Sequence, residues 1–190
     1  MRIKLIFIII SLLYQTTVYS KATDNNDFNQ RYLSSYFSAL LSYDNQNNNE
    51  ALKFFEQSKI LIKKHNNFLK EYVFSLVLDG QVKKAIKEIK FSKNQENSNF
   101  FEANLLLALD SINKKNFKQA ALKLQKLEIA SQRETYQLII SKTLEDYNNL
   151  FRYKKFKENN NNFGKLDLIS DAFQNCYINS SKTSSYFLNL

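Results

Sequence analysis

Proline is absent from all 190 residues, and Gly80 and Gly164 are the only glycines. A sheet fold of this size turns about every ten residues, and its turns draw on Gly and Pro for backbone angles that other residues resist. Helices joined by polar turns need far fewer of them. Hydrophobic residues make up 44% and charged residues 24%, the balance of a chain that folds around a core and not of a disordered one. The predicted class is all-α.

Apolar residues recur at spacings of three and four, the period of a helix with one buried face. Phe28, Leu33, Tyr36, Phe37, Leu40 and Leu41 predict a first helix, which the polar run 44–49 ends. Ala51, Leu52, Phe55, Ser58, Leu61 and Ile62 predict its return, broken at His65-Asn66-Asn67. A second pair runs from Phe68 to Val77, stops at Asp79-Gly80, and returns through Val82, Ala85, Ile86 and Ile89. A third runs from Phe100 to Ala108, turns over 113–116, and returns through Phe117, Ala120, Leu122 and Leu124.

The return helices are in register. Ala51, Ala85 and Ala120 lie 34 and 35 residues apart, and each is followed four residues on by a large apolar residue: Phe55, Ile89 and Leu124. Ser58 and Ser92 repeat at plus seven, where the third pair has Leu127; Ala39 and Ala108 repeat twelve before the alanine, where the second pair has Val73. This pattern resembles the tetratricopeptide repeat, with its period of about 34 residues and its small residues where two helices cross. The family's glycine, five before the alanine, occurs only as Gly80, and its closing proline is missing throughout. The resemblance covers residues 28–130 and implies a right-handed α-solenoid of antiparallel helix pairs. It also implies a concave face lined by the first helix of each pair. Carried over from the alanine register, that face comprises Leu33, Tyr36, Leu40, Tyr43, Lys70, Phe74, Val77, Leu105, Leu109 and Ile112. Two readings of its apolar members stand side by side: a groove for an apolar peptide or helix, and a strip covered by the chain's own tail.

Residues 1–20 read as an export signal. Arg2 and Lys4 precede a ten-residue apolar core at 5–14, and Ser20 supplies a small residue for cleavage before Lys21. That core is short for a membrane span of about 20 residues, although an uncleaved anchor is the alternative. A polar leader follows at 21–27. Beyond the repeats come a helix within 131–157, opened by a capping box at Ser131 and Glu134, then an Asn-rich linker at 158–164. A helical tail at 165–190 reads as a helix pair cut short in its second member. The tail's layout is similar to that of envelope tetratricopeptide proteins of alphaproteobacteria, which implies a periplasmic or cell-envelope location.

The chemistry-bearing residues are few. His65 is the only histidine, placed in a turn, and Cys176 is the only cysteine, expected as a small buried residue on an apolar helical face, with a reactive thiol the sharper alternative. No His/Cys set for zinc, glycine-rich phosphate loop or nucleophile–base pair can be assembled. No enzyme, cofactor or metal is therefore expected. The net charge of +9 comes from scattered lysines in a composition rich in residues with AT-rich codons, and nucleic acid is not an expected partner. The expected function is an exported scaffold for a protein or peptide. The alternative is a membrane-anchored structural subunit of an envelope complex, without a peptide groove.

Overall fold

The computed structural model describes residues 29–92, 98–130, 135–157 and 163–188, of which 128–130 by their backbone alone. The signal, the leader, Phe28, the Ser131/Glu134 capping box and most of the Asn-rich linker lie outside the described residues. The chain divides into two units, Met1–Arg31 and Tyr32–Leu190. Of the first, only residues 29–31 are described, where the Asn29 side chain accepts from the Arg31 amide.

The described residues form nine α-helices and no strand. They are α1 (Gln30–Asp44), α2 (Asn48–Gln57), α3 (Phe68–Leu78), α4 (Val82–Phe91), α5 (Phe101–Asn113), α6 (Phe117–Ala130), α7 (Thr135–Tyr153), α8 (Lys165–Tyr177) and α9 (Thr183–Leu188). From α2 to α9 each helix packs on the next in the chain, and α5 also touches α7. Among the described residues no helix is long and apolar enough to cross a membrane.

The helices within each pair are joined by one recurring turn. Gln46, Gly80 and Lys115 all have positive φ, at 60°, 77° and 58°. In each turn two amides reach back to the preceding helix: Asn47 to the Ser42 carbonyl, Gln81 to Leu76 and Asn116 to Ser111, with Gln46, Gly80 and Lys115 bonding to Tyr43, Val77 and Ile112. This is the Schellman closure, which satisfies carbonyls that a helix end leaves open. Only the middle turn has the glycine that this backbone favours. The other two hold an ordinary side chain in the left-handed region, at a cost of about 1–2 kcal/mol each. The next helix starts at once. Asn47 caps α2 by accepting from the Glu50 amide and donating to its carboxylate, and Asn116 accepts from the Gln119 amide.

The aligned positions of the three pairs are buried. Ala39, Ala51, Ala85, Ala108 and Ala120 are wholly inaccessible, as are Phe55, Ser58 and Leu127. The first core cluster is aromatic. Phe55 meets Phe68 edge-on at 5.5 Å, with Tyr72 5.8 Å from Phe55 and Tyr36 5.3 Å from Phe68. Such pairs contribute about 0.5–1.5 kcal/mol each beyond the area they bury. His65 is half-buried, with its ring 4.8 Å from Tyr36. The first return helix ends sooner than its apolar period suggests. Ser58 turns its hydroxyl onto the Phe54 carbonyl at 2.7 Å, and a short 3₁₀ helix, Lys59–Lys63, carries Leu61 and Ile62 into the core.

Candidate binding cleft

α4 meets the first core and α2 through one face. Ala85 and Ile89 enter the core, Lys84 pairs with Glu56 of α2 at 2.6 Å, and the buried Glu88 pairs with Lys59 at 2.6 Å. The hydroxyl of Tyr72 also donates to Glu56. Burial pushes the Glu56 carboxyl up, but the hydrogen bonds from Lys84 and Tyr72 and the charges of Lys84 and Lys59 outweigh it and hold the carboxyl below its usual range. Burial above all, then Glu56, drives the Tyr72 phenol up, so it stays a donor.

With residues 84, 85, 88 and 89 committed inward, the helical period turns Val82, Lys83, Ile86, Lys87 and Lys90 the other way. α5 faces them. It buries Phe101, Ala103, Asn104, Leu107 and Ala108, leaving Leu106, Leu109, Asp110, Asn113 and Lys114 toward α4. The two faces enclose an open cleft of about 730 Å³. Its floor is apolar. Ile86 and Leu106 are half-buried against the first core cluster, while Val82 and Leu109 are 39% and 43% exposed. The cleft lies beside the helix that serves both cores: Ala103 and Leu107 join the first cluster, Phe101 and Ala108 the second.

One end of the cleft carries a clamp. Asp110 accepts from Lys90 at 2.6 Å and from Lys114 at 2.7 Å. Hydrogen bonds from Lys114 and then Lys90 hold the Asp110 carboxyl below the usual carboxylate range against the opposing effect of burial. Lys83 and Lys87, on the α4 rim, make no ion pair among the described residues.

The residues expected on the concave face are distributed differently. Tyr36 is corrected: it is 3% exposed, enclosed by Phe55, Phe68 and His65, and belongs to the core. The reason is helical phase, since Tyr36 and Ala39 share the face that meets the aromatic cluster. Burial, then the Glu71 carboxylate, raises its phenol. Leu33, Leu40, Tyr43 and Val77 are half-buried and pack against the same cluster. Phe74 is half-buried with the Lys70 ammonium 5.6 Å from its ring centroid. Leu105 packs on the second cluster, beside Ile140 and Leu144 of α7, and Ile112 is half-buried. Leu109 alone among the ten lies exposed, and it lines the α4–α5 cleft. Val82, Lys83, Ile86, Lys87, Lys90, Leu106, Asp110, Asn113 and Lys114 were not expected to form a site. The signal for them is a second stripe on α4 and α5, offset from the core stripe and mixing apolar residues with lysine.

Cys176 is also corrected: it is exposed. α8 docks through Ser170, Ala172, Gln174 and Asn175, which turns Cys176 and the apolar residues 169, 173 and 177 outward. Among the described residues no group of three His, Cys, Asp or Glu side chains is placed to hold a metal ion. Compared with known proteins, the chain matches no family, no curated protein and no solved structure.

Proposed function

We propose that this chain is an exported scaffold that binds another protein, built as a right-handed stack of tetratricopeptide-like helix pairs. The stacking reading is supported by three like turns whose positive-φ residues, 46, 80 and 115, are spaced as the alanines are, and by the burial of those alanines. A stack of such pairs leaves long open faces for partners. The observation that carries the binding reading is the α4–α5 cleft, whose exposed floor residues Val82 and Leu109 are apolar. Leu109 belongs both to this cleft and to the concave face implied by the family resemblance. Export to the periplasm or cell envelope rests on residues 1–20.

A photo-crosslinking amino acid at position 109 of the full chain tests the reading in cells. The expected result is a discrete protein adduct at 109, absent with the same group at the exposed Lys53, and a mature N-terminus at Lys21. Irradiation that yields no adduct at 109 removes the scaffold reading. An intact N-terminus embedded in membrane, again with no adduct, favours the anchored structural subunit.

A further inference from the structure

We propose that the α4–α5 cleft receives an acidic amphipathic helix of a partner protein. The proposal deepens the scaffold reading and rests on it. The lining combines an apolar floor (Val82, Ile86, Leu106 and Leu109) with four cations, Lys83, Lys87, Lys90 and Lys114, against the single carboxylate of Asp110.

Each part restricts the occupant. The floor asks for apolar side chains, because covering Val82 and Leu109 removes their exposed surface from water. The lysines decide the charge. Anything that covers the floor lowers the dielectric around the rim and strengthens repulsion among these cations. Asp110 is already shared between Lys90 and Lys114, and Lys83 and Lys87 have no ion-pair partner among the described residues. A neutral helix therefore leaves the excess charge uncompensated, and a basic one adds to it. Carboxylates flanking an apolar stripe meet both requirements at once.

The shape favours a helix. The lining spans residues 82–90 and 106–114. At 1.5 Å per residue each wall is about 12 Å long, the length of two helical turns, over which a ligand helix presents anchors at i, i+3 or i+4, and i+7. A bilayer fits less well. The lysines of the lining are exposed while Ile86 and Leu106 are half-buried between the two helices, so a flat anionic surface meets the lysines and leaves those two uncovered. Nucleic acid would find no aromatic side chain in the lining on which to stack a base.

Fluorescence anisotropy of the full chain with three synthetic helices tests this. All share one apolar stripe, and the flanking positions carry Glu, Gln or Lys. The expected result is saturable binding of the Glu helix alone, weakened about tenfold by Lys83→Gln with Lys87→Gln and abolished by Leu109→Glu. A control pair away from the cleft, Lys63→Gln with Lys155→Gln, removes the same net charge and should change affinity less than about twofold. Equal binding of all three helices, or equal weakening by the control pair, overturns the proposal. So does failure of the Glu helix to bind, or lysine-dependent binding to phosphatidylglycerol vesicles in its place. Any of these results leaves the scaffold reading standing if the adduct at 109 forms, whereas loss of that adduct removes both.

Discussion

The helices from α1 to α4 and those from α7 to α9 bury different mixtures of surface. In the first region the largest wholly buried side chains include Phe55, Phe68, Leu69, Tyr72, Val73 and Leu76, with small hydroxyls and the one carboxylate of Glu88 among the buried polar groups. In the second, polar residues outnumber apolar ones: among the described residues, Ser141, Asn148, Ser170, Gln174 and Asn175 are buried beside only Leu150 and Ala172, while Ile169, Phe173 and Tyr177 are 40–55% exposed. Each of the three buried amides donates a hydrogen bond, while the Asn148 side-chain oxygen accepts none among the described residues. Gln174 donates to Ser170, Asn175 to the Asp171 carbonyl, and Asn148 to the Phe117 carbonyl of α6. The aromatic groups of the second region instead meet near its surface: Phe151 on Tyr177 at 5.0 Å and Phe173 on Phe187 at 5.9 Å. An apolar stripe thus establishes that a segment is a helix without deciding that the stripe is the docked face.

The contrast should be largest at the front core. Phe55→Ala empties a wholly buried site among three aromatic rings and should cost about 3–5 kcal/mol, read as a lowered midpoint in urea. A loss below about 1 kcal/mol would mean that the front is no better packed than the tail. Ala85→Leu asks whether the crossing of α4 is as close as its zero exposure indicates. Overpacking there should cost about 1–3 kcal/mol, and an unchanged melt would break the shared register of the return helices.

The turns sharpen the comparison because both regions use the same one. Asn179 joins α8 to α9 at φ 54°, and Ser180 and Asn179 bond back to Asn175 and Cys176 as their counterparts do at Gly80. A Cβ at Gly80 meets nothing within 4 Å, so Gly80→Ala isolates the backbone term, a loss of about 1 kcal/mol. Lys115→Gly should gain a similar amount, and Asn179→Gly only a few tenths, since asparagine tolerates this region. Equal gains at 115 and 179 would show that side-chain identity does not set the cost.

Charge separates the regions further. Burial first, then Glu145 and Asp171, raises the Asp146 carboxyl to about 6, while Lys142 and Lys157 pull it down. Its folded-state pKa lies above the ordinary value near 3.8, so between those values the folded chain holds more of this proton. That contribution to stability falls as pH rises through about 6, and the full penalty is present at pH 7. Asp146→Asn should therefore stabilise the chain at pH 7 by on the order of 1 kcal/mol, discounted for solvent screening, and change nothing near pH 3. Melts of both proteins across that range check the sign. Phe173→Ser probes the exposed face of the tail. At 55% exposure it loses little beyond its edge contact with Phe187 and should cost no more than about 1.5 kcal/mol, and a loss above about 3 kcal/mol would mean the tail's apolar face is buried in solution.

The amino-acid sequence by itself determined the helical class, the places of the turns at 44–49, 79–80 and 113–116 and the small residues of the return helices. These are local matters: the scarcity of Gly and Pro, the phase of apolar residues, and turn chemistry such as Asn47 and Asn116. Only the tertiary structure decided that Tyr36 is core, that Cys176 faces outward, that Gln46 and Lys115 adopt the backbone of Gly80, and that a cleft forms between α4 and α5. All but the turn backbone depend on which neighbour a helix meets. Periodicity gives the angle of a side chain around its own axis, whereas burial is a sum over every helix packed against it. The cleft shows this most directly. The same register that turns Ala85 and Ile89 inward turns Lys83 and Lys87 outward, and nothing along the chain says that Leu106 and Leu109 will stand across from that edge of α4.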